Sequence, residues 1–402
     1  MKDIQLGKMV ITRDFLFFLI ATALLGVTQA VESTSFANRL AEDLGFTTSQ
    51  RTFLEFPREL PGLLIVFVIG GLSFMGDIRL AALGNLIGGL GLLAFGLVPS
   101  GFWFVVITMM IYSQGQHIYF PLQSAISMTF AGSGNLGRRL GEIQSVNTAM
   151  LIITAAVLYV LYSFVNIPFS VAFTIGAIAM IAAGVMFLLM SPGPRKTKKS
   201  RFVIKKKYRL FYLVAVFFGS RRQITMTFVV WLIVTIYGQP ASTIVILFFI
   251  TNVIGVFFRP YLGMHIDRHG ERATLILEGT LLTISCLGLA FAKVLFPHNI
   301  ALIVVSACYI IDNLFSVGAQ MSRTTYIKRL VDDQDEVAGA LAFGLSLDHI
   351  LSMTMPIIAG LVWEWNAEVG YIYVFLGGVV MSLICVGLST RVRIPVKQEA
   401  NS

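Results

Sequence analysis

The chain has 402 residues, of which 56% are hydrophobic and only 13% are charged, and its formal net charge is +9. This balance excludes an ordinary water-soluble globule, in which about 25% of residues are charged. A basic chain can bind nucleic acid, but here the basic residues lie between long apolar stretches, so no nucleic-acid partner is expected. The composition predicts an integral membrane protein.

Twelve stretches of about 20 mostly apolar residues follow one another, and each is long enough for a helix to cross about 30 Å of hydrocarbon. The predicted spans are 14–36, 53–75, 80–98, 102–130, 143–164, 168–190, 209–236, 242–262, 273–293, 299–326, 338–362 and 369–390. The first stretch could be a signal peptide, but it is too long and lacks a small-residue cleavage site. It is therefore expected to remain as a membrane span.

The basic residues predict the orientation of the spans. If the N-terminus is cytoplasmic, the segments outside hold only Arg39, Arg51 and Lys293. The segments inside hold Lys2, Lys8, Arg13, Arg79, Arg138, Arg139, the cluster from Arg195 to Arg209, Arg268, Arg272, Lys328, Arg329, Arg391, Arg393 and Lys397. This asymmetry follows the positive-inside rule, so both termini are predicted to be cytoplasmic and the protein to lie in the cell membrane.

One break in composition divides the chain. The segment "SPGPRKTKKSRFVIKKKYR", residues 191–209, ends the sixth span with Pro and Gly and then carries nine Lys and Arg residues. Such a segment usually sets topology and contacts anionic headgroups, although a binding function is an alternative. The predicted domains are a first bundle over 1–190, a linker over 191–208, and a second bundle with a cytoplasmic tail over 209–402.

Two pairs of segments indicate an internal repeat. "SFMGDIRLA" after span two parallels "GMHIDRHGE" after span eight, and "NLGRRLGEIQSVNTAML" parallels "DEVAGALAFGLSLDHIL" at a similar offset. "GMHIDRHGER" lies between spans eight and nine and resembles the signature of the major facilitator superfamily, at the place where a second copy of that signature belongs. The resemblance implies an all-α fold of twelve transmembrane helices in two pseudo-symmetric six-helix bundles around a central cavity.

The same signature implies a charged gate at the cytoplasmic face. In the first copy, Leu80 replaces the glycine after the acidic residue, so that half of the gate departs from the family pattern. The alternative is a short solvated loop that obeys the positive-inside rule. The predicted gating residues are Asp77, Arg79, Gly263, Asp267, Arg268, Gly270 and Arg272.

Polar residues inside the spans are the candidates for a binding site, because charge in hydrocarbon is costly and normally faces a cavity or a partner. The predicted substrate-binding residues are Arg221, Arg222, Gln223, Glu32, Arg58, Glu59, Gln116, His117, Asn147, Asn313 and Gln320. For His117, the alternative is a hydrogen-bonded packing residue.

Arg221 and Arg222 are adjacent in the middle of span seven. Neighbouring residues on a helix point about 100° apart, so both can face one point only if the helix is distorted near Gly219 and Ser220. One guanidinium could hold a carboxylate, phosphate or sulfonate in a fork. Alternatively, both are neutralised internally, by partners among Asp312, Asp348, Glu32 and Glu59.

Asp312 and Asp348 are the predicted proton carriers. A carboxylate that alternates between apolar surroundings and a nearby arginine can bind and release a proton. The alternative is that each forms a fixed ion pair between helices.

Several motifs do not occur in the sequence. It has no phosphate-binding loop, zinc motif, nucleophile elbow or dinucleotide fingerprint, so neither an enzyme nor a cofactor is expected. Cys286, Cys308 and Cys385 are scattered within spans, so no disulfide or metal site is expected.

The function predicted is secondary active transport of a small organic anion or zwitterion, as proton symport by alternating access. The expected partners are the substrate, protons and membrane lipid, and the protein is expected to be a monomer. One alternative is an efflux pump for amphipathic or cationic drugs, although spans four and five lack the motifs usual in such pumps. Another is a membrane-embedded sensor or lipid-handling protein.

Overall fold

The computed structural model describes residues 4–6, 9–97, 101–130, 136–192, 204–331, 335–366 and 368–393. It is built almost entirely of helices, named here in chain order. They are α1 (Arg13–Asn38), α2 (Thr48–Phe53), α3 (Glu55–Gly71), α4 (Asp77–Leu97), α5 (Phe102–Thr129), α6 (Leu136–Val160), α7 (Phe169–Leu189), α8 (Arg209–Thr235), α9 (Ala241–Leu295), α10 (His298–Leu330), α11 (Asp335–Trp365) and α12 (Gly370–Ser389).

α9 consists of two helices that meet at Gly270. This glycine has φ +79° and ψ 165°, which no helix contains and which a residue with a Cβ rarely adopts. With α9 divided there and the short α2 set aside, the described residues form twelve long helical segments, as predicted. Nine of the described helices, with α9 counted once, are long and apolar enough to span a membrane. Helices suit this environment because they satisfy every backbone hydrogen bond internally.

Three local features were not predicted. A short antiparallel pair of strands, β1 (Ile4–Leu6) and β2 (Met9–Ile11), precedes α1. The π-helical turns Arg39–Asp43 and Leu161–Val165 extend α1 and α6. At the start of α2, the side chains of Thr47 and Gln50 each accept a hydrogen bond from the other residue's backbone N–H, forming a capping box. This cap makes α2 a separate short helix after α1.

The chain forms two compact units. The first contains residues 1–199 with 239–252, and the second contains residues 200–238 with 253–402. The start of α9 therefore belongs with the first unit. Residues 193–203, most of the predicted linker, lie outside the described part of the chain, and the predicted domain boundaries remain predictions.

In the first unit, α4 packs between α5 and α7, while α1 packs against α6 and α7. The approach of α4 to α5 depends on glycines, because a Cβ at Gly115 would lie 2.3 Å from the carbonyl oxygen of Gly84. Close backbone packing of this kind is typical of membrane helices. Beside it, Phe95 and Phe173 form an edge-to-face pair with ring centroids 4.8 Å apart.

In the second unit, α8 is the central helix and packs against α10, α11 and α12. Its C-terminal part is held by Phe228, which stacks on Trp363 at a centroid distance of 5.2 Å. The three cysteines of this unit are buried and form no disulfide. α8 therefore places the middle of its own sequence, with its two arginines, against three neighbouring helices.

Candidate functional site

Arg221 lies inside an ion pair in the second unit. Its side chain is 1% exposed, and Nη1 donates to Oδ1 of Asp312 on α10. Nη2 donates to Ser316 Oγ at 2.7 Å, one turn further along α10, and Ser316 in turn donates to the other carboxylate oxygen at 3.4 Å. The fork of this guanidinium is thus filled by α10.

Arg222 points elsewhere. α8 runs without a break from Arg209 to Thr235, so the two arginines keep the angular separation of helical neighbours. The Arg222 side chain is partly exposed, and its guanidinium forms no hydrogen bond or ion pair with the described residues. α8 is not distorted at Gly219 and Ser220, so the two arginines do not face one point.

The role of Gly219 is to admit the carboxylate of α11. A Cβ at this position would lie 2.6 Å from Asp348 Oδ1 and 3.3 Å from Leu351 Cδ1. Oδ2 of Asp348 lies 3.7 Å from Nη2 of Arg323, whereas Oδ1 is buried without a hydrogen-bond partner among the described residues. Asp348 is therefore held loosely, and its side chain is 24% exposed.

An aromatic ring joins the two ion pairs. The guanidinium carbons of Arg221 and Arg323 lie 5.3 Å and 5.1 Å from the ring centroid of Phe218 on α8. Contacts of this type stabilise a cation by the ring's quadrupole. We refer to Arg221, Arg222, Asp312, Arg323 and Asp348 as the arginine cluster.

The charges of the arginine cluster do not balance. It contains three guanidinium groups and two carboxylates, and arginine stays protonated in proteins. His349, which follows Asp348, would add positive charge only when protonated. Among the described residues, one positive charge of the cluster is left without a counterion, and Arg222 is the member that has no carboxylate at contact distance.

The other predicted polar residues of this unit divide into two groups. Gln223 lies beside the cluster, where its Oε1 accepts a hydrogen bond from Ser352 Oγ at 3.0 Å. Asn313 and Gln320 are exposed on α10, and the Asn313 amide donates to its own helix at Tyr309. The structure does not bring these last two into contact with the cluster.

The first unit contains its own charged network. Arg58 on α3 contacts Glu32 of α1 at 2.5 Å and Glu55 at 3.5 Å, and Arg51 contacts Glu55 at 2.5 Å. Both guanidiniums lie 5.2 Å from the ring centroid of Phe36. This network is internally paired.

The remaining predicted residues of the first unit lie on α3, α5 and α6. His117 Nε2 is 3.9 Å from Glu59 Oε2, and its Nδ1 lies 3.0 Å from Ser113 Oγ. Gln116 donates to the Tyr112 hydroxyl at 2.6 Å. Asn147 is buried where Gly26 lets α1 approach α6.

The predicted gate motif lies at the break in α9. Asp267 Oδ1 is 4.0 Å from Arg329 at the end of α10, and Glu271 Oε1 is 3.0 Å from Arg329 Nε. Arg268 and Arg272 are exposed. The acidic contact of Arg329 is thus mainly with the fully buried Glu271, which the sequence interpretation did not include.

The first copy of the motif is simpler. Asp77 is the first residue of α4, and Arg79 donates to the carbonyl oxygen of Leu188 on α7 at 2.5 Å. Gly263, in the second copy, has Met321 3.8 Å from its Cβ position, so it does not mark a close helix approach.

Four ionisable residues inside helices were missed from the sequence. Glu55 and Glu278 are buried, Arg259 is partly buried in α9, and Glu271 starts the second half of that helix. Arg259 and Glu278 are lone charges in apolar stretches, and that signal could have identified them, whereas Glu55 and Glu271 lie in charged segments.

Comparison with known proteins agrees with this fold. The family described as Major Facilitator Superfamily matches residues 18–347. The crystal structure of the nucleoside transporter NupG is similar at a TM-score of 0.76 with 14% identity, and the comparison covers 94% of this chain and 98% of that one.

Two further solved structures are similar at TM-scores of 0.70 and 0.69. The first is a bacterial homolog of the human lysosomal transporter Spinster, with 14% identity, and the second is a D-xylose-proton symporter, with 16% identity. Each comparison covers 94% of this chain and 96% of the other. No curated protein sequence matches the chain. The family match over most of the length, on a twelve-helix fold, shows that the chain belongs to the major facilitator superfamily and is a multi-pass membrane transporter.

Proposed function

We propose that the protein moves a small organic anion or zwitterion across the cell membrane by alternating access, with proton coupling, and that Arg222 holds the anionic group. Transport is driven by gradients, with both termini cytoplasmic. The carrying observation is the uncompensated positive charge of the arginine cluster.

The energetic argument rests on the cost of an isolated charge. A buried cation without a partner costs several kcal/mol, and a paired one much less. Arg222 has no carboxylate at contact distance among the described residues, and it is partly exposed. An anionic group that arrives from solution would supply the missing counterion and accept two parallel hydrogen bonds from the fork.

Arg221 is the weaker candidate of the two. Its side chain is 1% exposed, and Asp312 and Ser316 already accept its terminal hydrogen bonds. A ligand would have to displace both partners. We therefore assign Arg221 to holding α8 against α10, which corresponds to the internal neutralisation considered as an alternative for this residue.

Asp348 fits the proton-carrying role better than Asp312. Its side chain is 24% exposed, and its Oδ1 has no hydrogen-bond partner among the described residues. Its contact with Arg323 is 3.7 Å long. Asp312 is 5% exposed and tightly bound to Arg221. The similarity to a D-xylose-proton symporter supports proton coupling as a mode of action for this fold.

The choice of an anionic substrate rests on this chain's own residues. The neighbours named for nucleosides and D-xylose handle uncharged polar solutes, and they share 14% and 16% of residues with this chain. An uncharged solute would not neutralise Arg222.

The test is a thermal-stability screen of the purified protein. The panel contains lactate, taurine and glucose 6-phosphate as charged compounds, uridine and D-xylose as neutral compounds, and ethidium as a cationic drug. A ligand at 100 times its dissociation constant stabilises the folded state by about 2.7 kcal/mol. We expect an anionic or zwitterionic compound to raise the melting temperature.

Variants identify the residue responsible. Arg222→Gln should weaken that binding by about 1.5–3 kcal/mol, the usual worth of a hydrogen bond to a charged group. Arg259→Gln is the matched control, because Arg259 on α9 also has no ion pair among the described residues but is not a member of the arginine cluster. Stabilisation by neutral or cationic compounds alone, or equal losses in both variants, would contradict the proposal.

A further inference from the structure

Glu278 is a fully buried carboxyl group on the second half of α9. It lies two turns beyond the break at Gly270, and its relative exposure is 0%. The carboxyl group packs over Gly318 of α10, where an added Cβ would lie 2.1 Å from Oε1 and 2.1 Å from Leu262 of the first half of α9. The niche is therefore closed by glycine and leucine.

The hydrogen bonding of Glu278 is incomplete. Within the described part of the chain, Ser322 Oγ, 3.3 Å from Oε2, is its one hydrogen-bond partner, and the buried Oε1 has none. Among the described residues, no arginine, lysine or histidine nitrogen lies at ion-pair distance. An ionised carboxylate would keep its charge next to Leu262 with a single neutral donor.

Glu271 provides the contrast on the same helix. It is also 0% exposed, and neither of its oxygens has a hydrogen-bond partner among the described residues, but Arg329 Nε lies 3.0 Å from its Oε1, at ion-pair distance. A buried carboxylate beside a guanidinium stays ionised, whereas one in an apolar niche takes up a proton instead. As a neutral carboxyl group, Glu278 can either donate to or accept from Ser322.

The ionisable groups around Glu278 come from two other helices. α10 presents Ser322, followed by Arg323, which is turned toward Asp348. α12 presents the Cys385 thiol, which is within electrostatic range of Arg323, Arg221 and Glu278. The first half of α9 contributes only Leu262 to the niche. None of the described residues at contact distance carries a positive charge that would neutralise an ionised Glu278.

We propose that Glu278 is a proton-binding site of the transport cycle, holding its proton in the conformation described here. Release requires that water enters the niche and accepts the proton from the carboxyl group, while Arg323 exchanges Asp348 for Glu278. The two carboxyl groups would then compete for one guanidinium. The role in transport rests on the proposed function, but the presence of the bound proton does not.

The test measures the proton directly. Infrared spectra of the full-length protein at neutral pH, in a detergent that contains no ester groups, detect the C=O stretching band that only a protonated carboxyl group gives under these conditions. We expect this band in the wild type, its loss in Glu278→Gln, and its retention in Glu271→Gln, the matched variant at an ion-paired glutamate. A band equal in all three proteins would overturn the proposal.

A second variant covers the case in which Glu278→Gln does not fold. Ser322→Ala removes the one hydrogen bond and keeps the carboxyl group, so the band should move to higher frequency without losing intensity. An unmoved band would assign the proton to another residue and overturn the proposal. Neither measurement uses a transported ligand, so failure here is distinguishable from failure of the anion screen.

Discussion

The replacement Asp312→Asn tests whether the arginine cluster is held together by a buried ion pair. Arg221 is 1% exposed, and its charged partner is Asp312. In the variant, the guanidinium would keep only the neutral hydroxyls of Ser316, at 2.7 Å, and Thr225, at 3.4 Å. Breaking a buried pair by removing one partner costs about 3–5 kcal/mol, because it leaves an uncompensated buried charge.

The double variant Arg221→Met with Asp312→Leu separates the pair from its parts. Replacement of a whole buried ion pair by apolar residues of similar volume is often neutral or stabilising by about 1–4 kcal/mol. We therefore expect the double variant to be more stable than Asp312→Asn. The two sites should show strong coupling in a double-mutant cycle.

Asp348→Asn is the matched control. Its contact with the buried Arg323 is 3.7 Å long and its own side chain is 24% exposed, so the loss should be smaller than in Asp312→Asn, at about 1–3 kcal/mol. All variants are compared by unfolding of the purified protein in one detergent. The reasoning would be refuted if Asp312→Asn lost no more stability than Asp348→Asn. It would also be refuted if the loss in the double variant equalled the sum of the losses in Arg221→Met alone and Asp312→Leu alone.

Two further predictions concern helix contacts. Gly219→Ala should destabilise the protein by about 1–3 kcal/mol, because the new methyl group would lie 2.6 Å from Asp348 Oδ1. Its unfolding is compared with that of Gly377→Ala. A Cβ at Gly377 meets nothing within 4 Å, so this control should gain up to about 1 kcal/mol from the higher helix propensity of alanine. Arg329→Gln should cost about 1–3 kcal/mol, because the fully buried carboxylate of Glu271 would lose its charged partner, and the same unfolding assay measures it.

Each of these has an outcome that contradicts it. Equal stability of the two glycine variants would mean that α8 and α11 are not in close contact at Gly219. For the gate, Lys328→Gln removes the neighbouring, exposed charge on α10 and should be nearly neutral. A loss as large in Lys328→Gln as in Arg329→Gln would attribute the effect to net charge.

The family and the helical plan could be predicted from the sequence because both depend on local, one-dimensional signals. Apolar runs of sufficient length specify helices in hydrocarbon, since no other partner exists there for the backbone. Gly270 was singled out as a gating residue from its place in the motif, and in the structure it has a positive φ at the point where α9 breaks. The substrate, gating and coupling roles of individual residues stay predictions.

The roles within the arginine cluster required the tertiary structure. The sequence contained Arg221 and Arg222 as adjacent and chemically identical residues, and only the packing of α8 against α10 shows which of them meets Asp312. In the sequence, Gly219 marked a place where the helix could be distorted. In the structure, its missing side chain makes room for Asp348. Glu278 stands out in the sequence as a lone charge in an apolar stretch, but only the packing shows that α10 offers it one hydroxyl and, among the described residues, no cation at ion-pair distance.

The physical reason for this division is the difference between transfer and pairing. Whether a segment enters the membrane depends on the summed hydrophobicity of about 20 consecutive residues, which the sequence states in full. Whether a charge inside that segment is neutralised depends on a few ångströms between side chains on different helices, and Coulomb energies in a low-dielectric interior change steeply over such distances. Sequence alone therefore determined that this chain places charged side chains inside its membrane-spanning helices. The packing of the helices decided which of these side chains are paired with a neighbouring charge and which are not.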